Sequence, residues 1–254
     1  MESDCFASKI SEMKDIGIPM ESLHRYIDDQ IYSLPGVQEV CQDLTILLTG
    51  SRANGTYTEG SDVDLDVICP EPTYQALHES AMASGLLRTP RSFFVKLPSD
   101  GWEEYFGADK GRPHFTVMSL DQIESHFATF RDVWMWVWAN ALIITDPREQ
   151  FERLKVGHSG YPADILVKKI KYRWLLAGYW SIDVFPLSSR ADDSLLAAAT
   201  AIVNTVNEHL RLCFLVEGKP FPYSEKLMRL AGDTELGRMV GSILGQPVDL
   251  VLGK

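Results

Sequence analysis

The stretch LLTGSRANGTYTEGSDVDLDVI, residues 47–68, decides how this chain folds. It begins inside a nearly continuous apolar run, residues 44–50, that ends in Gly50 and suits a buried strand. A loop rich in Gly, Ser, Thr and Asn follows. Residues 61–68 then alternate, with Asp62, Asp64 and Asp66 on one side and Val63, Leu65 and Val67 on the other. One face of this second strand is carboxylate and the other is core.

That arrangement is electrostatically costly. Side chains at i and i+2 of a strand lie roughly 6.5–7 Å apart on one face, and carboxylates held there repel unless a cation sits between them or one takes a proton. Mg²⁺ is suited to the place, because it accepts one or two carboxylates and shares itself with the phosphates of a nucleotide. The preceding loop supplies the complement: Gly50 permits close backbone approach, and Ser51 adds a hydroxyl beside N–H groups that can form an anion-binding nest. The loop is neither a Walker loop nor G-x-G-x-x-G. A calcium loop is excluded by Val67 where a sharp turn needs Gly and Thr73 where a bidentate Glu is needed. A solvated acidic edge strand leaves the Gly-Ser loop unexplained.

Residues 47–68 resemble the signature of the polymerase-β-like nucleotidyltransferase superfamily, an apolar strand ending Gly-Ser followed by an Asp-x-Asp strand. The nearest likeness is to bacterial aminoglycoside and lincosamide nucleotidyltransferases with a helical C-terminal domain; residues 213–231, with Phe221-Pro222-Tyr223 and Lys226, resemble a stretch of that second domain. The resemblance implies an α/β (α+β) fold, a mixed sheet flanked by helices and followed by an all-helical domain. It implies Asp62 and Asp64 as metal ligands and catalytic groups for Mg²⁺, or Mn²⁺ in its place. Gly50, Ser51, Arg52 and Ser61 are the expected nucleotide-binding residues near the loop, with Lys169 and Lys226 reaching the nucleotide from the helical half. The implied reaction is attack by a hydroxyl of a small molecule, an aminoglycoside-like antibiotic among the candidates, on the α-phosphorus of an NTP, with release of pyrophosphate; ATP and adenylyl transfer are the first case to consider. The family pattern also carries a third carboxylate on a neighbouring strand. Here residues 114–120 offer His114 instead, a candidate base, and Glu103, Glu104, Asp109 or Asp66 are the possible substitutes. Two other functions compatible with the motif are a catalytically weak nucleotide-binding or antitoxin-type module and a protein-nucleotidylating enzyme.

The rest of the chain is consistent with two domains, a catalytic domain over 1–157 and a helical substrate-binding domain over 158–254. Residues 8–34 have helical periodicity broken at Pro19, 73–87 read as a helix closed by Gly85, 92–97 and 114–120 as strands, and 130–147 as a helix leading into a strand. The tryptophans at 134, 136 and 138 suit core packing better than base stacking. Helices are expected at 163–181, 191–216 and 223–245, the last interrupted at Gly232 or Gly237. In the helical half Asp192, Asp193 and Glu208 are acidic candidates for a cationic substrate, with Glu208 or Asp183 as a base.

Composition sets the outer bounds. The 254 residues are 45% apolar, enough for a real core, and the formal net charge of −11 argues against a surface that neutralises long nucleic acid while suiting a cationic small substrate. Four scattered cysteines and no apolar leader or membrane-length run lead to the expectation of a reduced, cytoplasmic protein with no membrane partner.

Overall fold

Five strands build one mixed sheet in the order β3-β4-β2-β1-β5: β1 (Thr45–Leu48), β2 (Val63–Cys69), β3 (Phe94–Lys96), β4 (Pro113–Ser119) and β5 (Leu142–Thr145). β1 is antiparallel to β2 and β5, β3 is antiparallel to β4, and β2 is parallel to β4. The computed structural model describes residues 15–34, 37–83, 94–96, 102–107, 109–184 and 195–244. The expected helical start at residue 8, the Gly85 closure and Asp192 and Asp193 lie outside the described residues.

Each element follows from its local sequence. β1 is buried along its whole length, as its unbroken apolar run requires. Pro19 precedes α1 (Met20–Tyr26), where its fixed φ and missing N–H cost nothing; the helix continues as a π-turn over Ile27–Ile31 and buries Leu23, Tyr26, Ile27 and Ile31. The helix expected over 73–87 begins two residues earlier, as α3 (Glu71–Ala83), and follows β2 directly; it comes after α2 (Gly50–Asn54), a short helix in what reads as loop. After α4 (Glu103–Phe106), α5 (Leu120–Ala128) starts with a capping box in which Ser119 and Gln122 satisfy each other's backbone N–H. Residues 130–147 form α6 (Asp132–Ala139) and then β5, as the length of the apolar segment predicts, and α7 (Gln150–Gly157) completes the first half.

Contacts divide the chain into a sheet-containing unit, residues 1–129 and 137–157, and a helical unit, 130–136 and 158–254. The helical unit takes in the first turns of α6 as well as everything after residue 157. It contains α8 (Ala163–Gly178), running on as a π-turn over Tyr179–Val184, α9 (Leu195–Val216), α10 (Ser224–Ala231) and α11 (Glu235–Leu244). Leu210, Phe214, Leu215, Phe221 and Leu227 form its core, with Leu166 and Ile170 of α8 packed on them. The break expected at Gly232 or Gly237 falls at Gly232–Thr234, where the Thr234 hydroxyl accepts from the Gly237 N–H (2.9 Å). No helix among the described residues is long and apolar enough to cross a membrane.

Candidate active site

Three strands bring Gly50, Asp64 and His114 together at one end of the sheet. The Thr49 N–H donates to the Asp64 carbonyl (2.8 Å), which ties the end of β1 to β2. The parallel register of β2 and β4 places His114 opposite Asp64, and its Nε2 lies 2.5 Å from Asp64 Oδ1. On the other flank Gly50 has φ +69, and a Cβ there would overlap Asp64 Oδ2. Gly50 is therefore required twice, for its left-handed backbone and for the room it leaves the carboxylate. The hydrogen bond to Asp64 is the main cause holding the His114 pKa above the ordinary imidazole range. The contact of its Nε2 with Oδ1 gives His114 the position of a residue that orients Asp64. Asp62, next toward the loop, is exposed.

The loop that carries Asp62 is held by Arg52, and here the structure departs from the sequence expectation. Arg52 is completely buried. Its Nη2 donates to the Ser61 carbonyl (2.7 Å), its Nε to the Ser61 and Asp62 carbonyls (3.2 Å each) and its Nη1 to the Ile16 carbonyl (2.9 Å). The Tyr57 ring covers the guanidinium at 5.3 Å. With these donors turned inward, Arg52 is not a nucleotide ligand; it fixes the backbone on which Asp62 sits. Ser61 likewise serves the loop, its Oγ accepting from the Thr58 N–H (2.8 Å). Gly111 is a further positioning residue that the sequence reading passes over. A Cβ at Gly111 would strike the Ser61–Asp62 backbone, so only glycine lets β4 enter so close. Its one sequence signal is its place in a turn just before a strand.

Asp66 is not the missing third carboxylate. It follows Asp64 along the same side of β2, but it is buried, and Trp138 of α6 donates its Nε1–H to Oδ2 (3.2 Å). Burial is the largest cause raising its pKa from 3.8 to about 7. The folded state thus keeps this proton up to about neutral pH while the unfolded chain releases it near the ordinary value, so stability contributed by the group is complete at low pH and is lost as pH rises through the window between them. We expect Asp66→Asn, which keeps an acceptor for Trp138, to gain about 4 kcal/mol on the parent protein between about pH 4 and about pH 8. Urea unfolding across that range without metal or nucleotide measures it; a constant difference between the two proteins would contradict the buried, neutral assignment.

Residues 36–134 match the family model of the nucleotidyltransferase domain. The chain carries a nucleotidyltransferase domain. The polymerase-β-like superfamily expected from residues 47–68 is thereby borne out, and the domain supports general nucleotidyl transfer. Residues 129–227 match a domain of unknown function (DUF4037). A solved structure of a nucleotidyltransferase-like protein from Exiguobacterium sibiricum 255-15 aligns with 92% of this chain and 71% of its own, at 13% identity and a TM-score of 0.45. No curated protein matches the sequence.

Within the nucleotidyltransferase domain the donor set suits one hard cation carried in with a nucleotide. Asp62 and Asp64 offer carboxylate oxygens, and glycine at position 50 lets the Asp64 carboxylate lie against the backbone. Among the described residues no group of three or more His, Cys, Asp and Glu is placed to hold a metal ion. Glu103 and Glu104 are exposed on α4, Asp109 is paired with Lys110 (2.9 Å), and none of the three falls in a metal-holding group with the two aspartates. In the helical unit Lys169 donates to Asp132 (2.8 Å) and to the Phe130 carbonyl (2.7 Å). Lys226 lies over the rings of Trp136 (5.7 Å) and Tyr223 (5.3 Å). Both lysines therefore have partners inside their own unit. Glu208 is not a free acid either, because it is buried between Arg173 (3.1 Å) and Arg211.

Proposed function

We propose that this protein is a magnesium-dependent nucleotidyltransferase that moves a nucleoside monophosphate from an NTP to a hydroxyl of a small molecule. The supporting observation is the convergence of Gly50, Asp62 and Asp64 at one sheet end, where close backbone approach and paired carboxylates meet. Asp62 and Asp64 would hold the ion, and Gly50 and Ser51 would receive the terminal phosphates. A bound magnesium ion supplies charge stabilisation on the attacking and leaving oxygens. The acceptor hydroxyl gives up its proton to solvent and its oxygen bonds to the α-phosphorus as the bond to the β-phosphate oxygen breaks, and pyrophosphate leaves. The protein contributes position: His114 fixes one oxygen of Asp64, Gly50 leaves room for the other, and Arg52 holds the Asp62 backbone. The net charge of −11 favours encounter with a cationic acceptor such as an aminoglycoside.

Calorimetry with ATP, GTP, CTP and UTP in the presence of Mg²⁺ tests the donor side. At least one is expected to bind, with the affinity lost in the combined Asp62→Asn and Asp64→Asn protein; absence of binding by all four would remove the proposal. The lack of a third carboxylate among the described residues favours a second reading, a nucleotide-binding module with weak or no transfer. Pyrophosphate release with a panel of aminoglycosides and lincosamides separates the two, since a module binds nucleotide yet releases none with any acceptor.

A further inference from the structure

We propose that the outward stripe of α8 is a homodimer interface, on which a second copy of this chain packs across a two-fold axis passing between Trp174 and Leu175. α8 already buries one side: Leu166 and Ile170 meet the helical core, Ala177 is buried, and Arg173 is bonded to Glu208. A surface helix of a monomer needs one apolar stripe. α8 and its π-turn carry a second, with Val167, Lys171, Trp174, Leu175, Gly178 and Ile182 at i, i+4, i+7, i+8, i+11 and i+15. Its apolar members face solvent: Trp174 is 66% exposed, Leu175 70% and Ile182 72%.

The neighbouring helix adds exposed apolar side chains of its own. α9 packs along α8 and the π-turn, and its own first turns expose Leu195, Leu196, Ile202 and Val203. Large apolar side chains exposed in this number mark an association surface, of the kind to which each partner of a standard interface contributes ~800 Å². A tryptophan at the centre is the commonest kind of anchor at such a surface.

The stripe is complementary to itself. Reversed about the point between Trp174 and Leu175, it sets Trp174 against Leu175, Val167 against Ile182 and Lys171 against Gly178, as an isologous contact demands. Nothing beyond its own turn of helix lies within 4 Å of where a Gly178 Cβ would be, so a notch is open to the stem of the facing Lys171. Charge points the same way. Two chains of net charge −11 repel over most of their surface, whereas this stripe contains no acidic residue and one lysine.

Sedimentation velocity of the full chain at tens of micromolar is expected to give twice the 28.6 kDa chain mass. Trp174→Glu combined with Leu175→Glu is expected to weaken the dimer at least about a hundredfold, with helix content by circular dichroism unchanged. Cross-linking decides the register without depending on those variants. A chain carrying Lys171→Cys mixed with one carrying Gly178→Cys should form a 171–178 interchain disulfide, identified by peptide mass spectrometry. Either chain alone should not, because like positions stand about 10 Å apart along the axis. A monomeric parent chain, a dimer indifferent to the two glutamates, or a dimer without the 171–178 link would each overturn the proposal.

Discussion

Asp64→Asn is expected to lower nucleotidyl transfer by about three orders of magnitude while leaving the fold in place. The amide is isosteric with the carboxylate, so it keeps its fit beside the Gly50 backbone and opens no cavity. What it removes is charge. The His114 imidazole loses the partner that holds its pKa up, and the ion-binding pair of aspartates is halved. Because Asp64 and His114 are both about a third exposed (side chains 30% and 32%), the pair is discounted as a stabilising term and the loss should stay below about 1 kcal/mol. Asp64→Glu sharpens the test. It retains the charge, but its extra methylene must enter space already closed by Gly50 and His114, so about a hundredfold loss is expected despite the carboxylate. Single-turnover pyrophosphate release, titrated with Mg²⁺, reads both variants. Transfer by Asp64→Asn within tenfold of the parent would show that Asp64 does not carry the metal.

The two strands of the sheet end were legible in the sequence because their causes are local. An apolar run ending at Gly50, followed by period-2 aspartates, specifies two strands and the faces they turn, and β1 and β2 form where that pattern predicts. The same holds for residues 130–147, where length separates a helix from the strand that follows it. What was not legible depends on long-range closure. Alternation gives Asp66 the same side as Asp64, but nothing in residues 61–68 records that Trp138, 72 residues later, covers it. Glu208 reads as an available acid on a helix, and only the packing of α8 beside α9 supplies Arg173 as a second cation. The pairing of His114 with Asp64 depends on a parallel register between positions fifty residues apart in the chain, a separation over which local pattern carries no information. Arg52 is the sharpest case, since an arginine beside a Gly-Ser loop has the composition of a phosphate ligand and the burial of a core residue.

Those two identities for Arg52 predict different results. Arg52→Ala removes a fully buried guanidinium and leaves the carbonyls of Ile16, Ser61 and Asp62 without its donors, together with a cavity beneath Tyr57. Lost hydrogen bonds to a charge and the cavity add to about 3–5 kcal/mol, which lowers the thermal midpoint of the sheet-containing unit by about 10 °C. Arg52→Lys is expected to recover only part of this, because an ammonium on a flexible stem cannot bridge carbonyls from three directions. The decisive feature is that the loss is expected in protein free of nucleotide and metal, measured by calorimetric unfolding. A nucleotide ligand behaves oppositely: its removal leaves the free protein's midpoint unchanged and abolishes only the stabilisation added by bound NTP. Should Arg52→Ala unfold at the parent temperature and yet bind nucleotide weakly, the loop is not held as described, and the fixed position of Asp62 would need another source.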